Sequence, residues 1–208
     1  MSATGMALAL FLLLHVVGNL VILIDPIQFN HYAHSLAENP LLLPAEFGLI
    51  AILLIHIGIA IQLTRANRAA RPIPYAVRQN TGRSRRWWGS SNMGITGTFV
   101  LIFIIYHLWH FKFGQVIPTT QGGVEMRDLA ATVKGEFSEW PEVTIYIVAM
   151  ILIMMHLLHG FRSAFETLGI VRSRWDKVFL IFTKGYVIAV MGGFILIPLW
   201  IFFKARAG

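Results

Sequence analysis

Residues 93–113 read MGITGTFVLIFIIYHLWHFKF. This run of 21 residues holds one formal charge, Lys112. As a helix it is long enough to cross a bilayer core of about 30 Å, which takes about 20 apolar residues. Two histidines, His107 and His110, lie inside it. An imidazole set among lipid tails is costly unless a hydrogen bond, a water-filled cavity or a metal receives it.

Four more apolar stretches surround this one: Gly5 to Ile24, Leu41 to Leu63, Val143 to Phe161 and Val178 to Phe203. The first is too long, and with His15, Gly18 and Asn19 too polar in its middle, for the apolar part of a signal peptide. Lys184 in the fifth can carry its ammonium to the interface on its long stem. The expected fold is therefore an all-α membrane protein with five transmembrane helices, a single domain over residues 1–208. The composition agrees, since 56% of the 208 residues are hydrophobic and 13% are charged, against roughly 25% charged in a soluble domain. There is no cysteine, which excludes disulfides, thiolate-held iron–sulfur clusters and covalently attached c-type haem. The net charge of +7 forms no continuous polar domain, so lipid rather than nucleic acid is the expected partner.

Charge in the connections sets the expected orientation. Residues 64–92 carry Arg65, Arg68, Arg71, Arg78, Arg83, Arg85 and Arg86 with no acid, and the region around the fourth-to-fifth connection adds Arg162, Arg172, Arg174, Lys177 and Lys184. The first connection has Asp25 and Glu38 but no Lys or Arg, and the third is mainly acidic. Short basic loops stay inside, so the N-terminus is expected in the cytoplasm and the C-terminus outside. Trp87, Trp88 and Trp175 then mark the inner interface, and Trp109, Trp140 and Trp200 the outer one. Ser90, Ser91 and Asn92 offer caps to the third span. Pro141 with Glu142 suits the first turn of the fourth, and Asn39-Pro40 marks the turn into the second.

Six histidines fall in four spans: His15 in the first, His56 in the second, His107 and His110 in the third, His156 and His159 in the fourth. Bis-histidine ligation of haem needs opposed imidazoles from facing helices. His15 lies ten residues before Asp25 and His107 five before Lys112, in the outer half; His56 lies nine before Arg65 and His156 six before Arg162, in the inner half. At about 1.5 Å of rise per residue there is room for two stacked macrocycles. The expected pairs are His15 with His107 for an outer haem iron and His56 with His156 for an inner one. His110 and His159 follow a proposed ligand by three residues, and propionate contact, quinone contact, alternative ligand and plain interfacial residue all remain open for them. Gly18, Gly58, Gly94, Gly97 and Gly160 allow a flat ring or another helix close to the backbone.

Several motifs carry a resemblance: His15-Val-Val-Gly18-Asn19, Phe29-Asn30-His31-Tyr32-Ala33, Asn39-Pro40, His56, Thr96-Gly97-Thr98, Tyr106-His107-Leu108-Trp109-His110-Phe111, His156-Leu-Leu-His159-Gly160-Phe161 and Ser163-Ala164-Phe165. In this order, across essentially the whole chain, they resemble the cytochrome b subunit of the succinate dehydrogenase and fumarate reductase family, in its single-subunit, five-helix, two-haem branch. The resemblance implies haem b ligands at His15, His56, His107 and His156, with the first four helices forming the haem-binding bundle. It also implies flavoprotein and iron–sulfur partner subunits, quinone exchange, and a place in a bacterial cytoplasmic membrane. Members usually carry a short basic segment before the first helix, whereas here the apolar run begins almost at Met1.

On this reading the iron–sulfur partner docks on the basic inner face and electrons reach a quinone, menaquinone being the expected species, at the outer side. Quinone reduction consumes protons, so titratable groups near the outer surface are its candidates: His31, His34, Glu38, Glu46 and His110. Glu46 equally suits a helix N-terminus facing interfacial water. Two rival readings are a di-haem cytochrome b of a hydrogenase or formate dehydrogenase and a haem-free transporter with a histidine relay.

Overall fold

The computed structural model describes residues 1–70, 93–169 and 175–207. Five helices in it are long and apolar enough to cross a membrane: α1 (Ser2–Ile24), α3 (Leu42–Ala69), α4 (Met93–Phe111), α6 (Trp140–Thr167) and α7 (Asp176–Ala207). This is the architecture of a multi-pass membrane protein. The helices begin and end close to the five apolar runs, but α3, α6 and α7 extend beyond them into polar sequence, because a helix already nucleated continues at little cost through Arg, Lys, Glu and Gln. The proposed caps Ser90, Ser91 and Asn92, the tryptophans Trp87 and Trp88, the arginines from Arg71 to Arg86, and Arg172 and Arg174 lie outside the described residues.

Three smaller elements gather at one end of the spans, the cap end. Helix α2 (Pro26–Ala37) starts at Asp25, whose Oδ1 accepts from Ile27 N at 2.8 Å and Gln28 N at 3.3 Å, with proline in the first turn. Strands β1 (Pro118–Gln121) and β2 (Val124–Arg127) form an antiparallel hairpin. Its turn, Gly122-Gly123, takes φ of 59° and 79°, positive values that glycine adopts without steric cost and that a two-residue hairpin of this kind demands. Helix α5 (Leu129–Glu136) is capped by Asp128. Asn30, buried on α2, ties the two cap helices: its Nδ2 donates to Asp128 Oδ1 at 2.9 Å and its Oδ1 accepts from Ala130 N at 2.8 Å.

Among the spans, α1, α3, α4 and α6 touch in a closed ring, α1 on α3, α3 on α4, α4 on α6 and α6 on α1. Helix α7 packs outside that ring against α6 and α1 and contributes its best-buried side chains, Val187, Val190 and Met191. Tyr186 of α7 donates to the Ala9 carbonyl of α1. Such polar ties and close backbones carry helix association where lipid removes the hydrophobic incentive. Helix α3 is the opposite case, with no buried residue along its length.

Gly193 shows how close α7 lies to α1, since a Cβ there would stand 2.7 Å from Cγ2 of Val16. Val16 is β-branched and cannot swing away on a flexible stem. Gly193→Val is expected to destabilise the fold by about 1–3 kcal/mol through overpacking, read as a lower melting temperature in detergent, whereas Gly185→Val, where nothing lies within 4 Å of the added Cβ, leaves the melt nearly unchanged.

Candidate functional site

In the closed ring α1 lies diagonally across from α4, and α3 across from α6. Each diagonal carries one of the expected histidine pairs. His15 of α1 and His107 of α4 are neighbours, with ring centres 5.9 Å apart and planes at 89°. His56 of α3 and His156 of α6 stand at the level of Thr4 and Thr96. A metal–imidazole bond of about 2 Å on each side, plus the half-widths of two rings, separates ring centres by about 6 Å, so the first spacing is compatible with one metal between the two imidazoles.

The pairs stand at two depths. On α1, Thr4 is beside His56, and His15 follows eleven residues later. On α4, Thr96 is beside His156, and His107 follows eleven residues later. On α6, Tyr146 meets His107 ten residues before His156. Three helices thus give nearly the same separation, about 15–16.5 Å at helical rise.

Orientation of the lower pair, nearer Met1, follows from two threonines. Thr4 Oγ1 donates to the Met1 carbonyl at 2.8 Å and lies 3.0 Å from His56 Nδ1. Thr96 Oγ1 donates to the Met93 carbonyl at 3.2 Å and lies 3.2 Å from His156 Nδ1. A hydroxyl that donates to the carbonyl three residues back keeps lone pairs able to receive a proton from the Nδ1–H tautomer of the facing imidazole. That tautomer leaves the Nε2 lone pair as the metal-binding atom, the arrangement seen when an outer hydrogen bond orients a ligating histidine. Glycines face both rings: a Cβ at Gly5 would stand 3.3 Å from His56 Cε1, and one at Gly97 3.5 Å from His156 Cε1. In the upper pair, Tyr146 OH lies 3.2 Å from His107 Nδ1, and Asn19 Nδ2 3.4 Å from His15 Nδ1 while donating to the His15 carbonyl at 2.8 Å. Phe11, Phe103, Phe111 and Phe194 surround these two imidazoles. The donor set, imidazoles at two levels with aromatic walls around His15 and His107 and glycines beside His56 and His156, fits two bis-histidine haem groups.

The chain matches no family model, no curated protein and no solved structure.

The five quinone candidates do not converge on one place. Glu38 and Glu46 line a cleft of about 440 Å³ at the cap end, with Pro40, Leu42, Leu43 and Lys112. Lys112 forms an ion pair with Glu46. His110 precedes Lys112 by two positions, about 200° around the helix, and so faces away, toward Glu136 and Glu142 of α5 and α6. His31, exposed, and His34, half-buried, sit on α2, and neither lines the cleft. His159 is half-buried and follows His156 by three residues on α6.

Reasoning from sequence missed Thr4, Tyr146 and Lys112. Thr4 and Lys112 are each legible only through a partner about fifty residues or more away in the chain. Thr96 was part of a quoted motif without a role. Its spacing from His107 places it, once His156 is known to stand opposite.

Proposed function

We propose that this chain is a di-haem cytochrome b, the membrane anchor of a succinate:quinone oxidoreductase, carrying electrons between a cytoplasmic iron–sulfur subunit and membrane quinone. The observation that carries this reading is the placement of four histidines on the two diagonals of one helix ring, at two depths, with Thr4 and Thr96 against Nδ1 of His56 and His156. A histidine relay does not require that symmetry; axial ligation of two flat macrocycles does.

Two haem b groups would supply one-electron carriers at the two levels. The chain's own residues do the rest. His56 and His156 hold the lower level and His15 and His107 the upper, toward the cap end. Thr4, Thr96 and Tyr146 fix imidazole orientation, and the aromatic walls keep water from the ligands. By the distribution of arginine the cap end faces outward and the Met1 end meets the iron–sulfur and flavoprotein subunits at the inner face of a bacterial cytoplasmic membrane. For menaquinone or another quinone, the Glu38–Glu46 cleft offers apolar contact from Leu42 and Leu43, a donor in Lys112 and two carboxylates.

The experiment is a redox difference spectrum and haem assay on the full-length protein isolated from its own membranes. We expect reduced haem b bands, about two protohaems per chain, and a copurifying flavoprotein that oxidises succinate or reduces fumarate. Absence of protohaem would sink the cytochrome reading. Haem with a different catalytic partner would retain the cytochrome and remove the succinate assignment.

A further inference from the structure

A second group of ligand-type side chains lies apart from the four paired histidines. His110 on α4, Glu136 at the end of α5 and Glu142 in the first turn of α6 each offer a donor atom within 4.8 Å of the others, and all three are half-buried. Three different elements supply them, so the chain brings them together only when the cap folds onto the spans. We propose that they form a divalent-cation site of the zinc class that staples α5 to α4 and α6.

The histidine is already prepared for this. His110 Nδ1 lies 2.9 Å from the Tyr106 carbonyl, an atom that can only accept, so Nδ1 carries the proton and Nε2 the lone pair. The Tyr106 ring, 4.1 Å from the imidazole by centres, holds it in place. The same tyrosine donates its hydroxyl to Glu142, orienting that carboxylate. One imidazole nitrogen and two carboxylate oxygens are three zinc ligands, and water completes the tetrahedron. Tetrahedral ligands at about 2.1 Å stand about 3.4 Å from one another, so donors up to 4.8 Å apart need to close by up to about 1.4 Å, which glutamate torsions supply. The imidazole favours zinc-class ions over magnesium, which prefers an octahedral oxygen shell.

The proposal is independent of the haem reading, since none of the three residues is among the paired histidines. Its test is titration of the chelator-washed full-length protein with zinc chloride, alongside Glu136→Gln, His110→Ala and His34→Ala. His31 and His34, three apart on α2, are the obvious competing surface site, which makes His34→Ala the control. We expect one saturable zinc per chain and slower hydrogen exchange in α5 when zinc is bound. Affinity should fall at least about tenfold in E136Q and H110A, stay unchanged in H34A, and not be displaced by equimolar magnesium. X-ray absorption of the wild-type zinc form should show a single imidazole among oxygen ligands, a readout that stands even if a variant fails to fold. No saturable binding, unchanged affinity in E136Q, loss in H34A, or a shell of several imidazoles would overturn it.

Discussion

Replacing His156 or His56 by alanine is expected to remove the same one of two haems, and replacing His15 or His107 to remove the other. Each single variant should therefore hold about half the protohaem of the parent, and the double variant His56→Ala/His156→Ala should hold no less than either single. Loss on one diagonal should spare the other, because the two levels are about 15 Å apart and share no ligand. Thr96→Val provides the contrast. It keeps the His156 imidazole but removes the oxygen that lies 3.2 Å from its Nδ1, so the lower haem should still bind, about 10–100-fold more weakly, with an altered redox potential. Pigment assay with potentiometric titration reads all of these. The pairing fails if His15→Ala and His56→Ala deplete the same spectral component. If instead His110→Ala or His159→Ala removes haem while His107→Ala or His156→Ala retains it, the ligand within each HxxH pair is the other histidine.

The spans were legible because a membrane helix satisfies every backbone group internally and needs only length and apolarity. Residues 93–113 meet both conditions without any knowledge of neighbours. The cap was not legible in the same way. Helix α2 is announced by Asp25-Pro26, a capping residue and a first-turn proline, yet its twelve residues hold mixed polarity that a loop also shows. The Gly122-Gly123 pair marks a turn, but four-residue strands give too short an alternation to read. What fixes these pieces is contact across the chain, chiefly Asn30 with Asp128.

Site residues divide along the same line. The four histidines stand out because imidazole is expensive in lipid, and their depth follows from distance to the nearest charge. Their neighbours do not stand out. Threonine in a membrane helix is ordinary, and most bond back to their own helix, as Thr64, Thr98 and Thr144 do here. Thr4 and Thr96 do this too, toward Met1 and Met93, and only a facing histidine turns that habit into tautomer control. The outer acids show the converse. Glu38, Glu46 and His110 share one property in sequence, closeness to a membrane surface, but Lys112 draws Glu46 to one side of α4 while Glu136 and Glu142 lie on the side His110 faces. Sequence leaves azimuth open, since one residue of helix phase turns a side chain by about 100°.

The motif Phe29-Asn30-His31-Tyr32 yields the last prediction. Phe29 belongs to the apolar cluster beneath the cap, and Tyr32 lies against Gly18, where a Cβ would come within 2.7 Å of the tyrosine oxygen. Asn30, 1% exposed, is the polar link, using both ends of its amide to hold α2 against the start of α5. Asn30→Ala removes both bonds and strands the Ala130 N–H in a buried position. Loss of two hydrogen bonds plus one unsatisfied donor costs about 2–4 kcal/mol. The cost should fall first on the cap, since the helices of the closed ring also hold one another through contacts that Asn30 does not make. Hydrogen exchange should accordingly quicken by a factor of about thirty or more in α2 and α5 while α1, α4 and α6 keep their protection below the cap. His31→Ala, exposed and one position away, should alter neither. Uniform acceleration through every helix would mean that the cap and the spans unfold as one unit, and Asn30 would then be a determinant of the whole membrane fold.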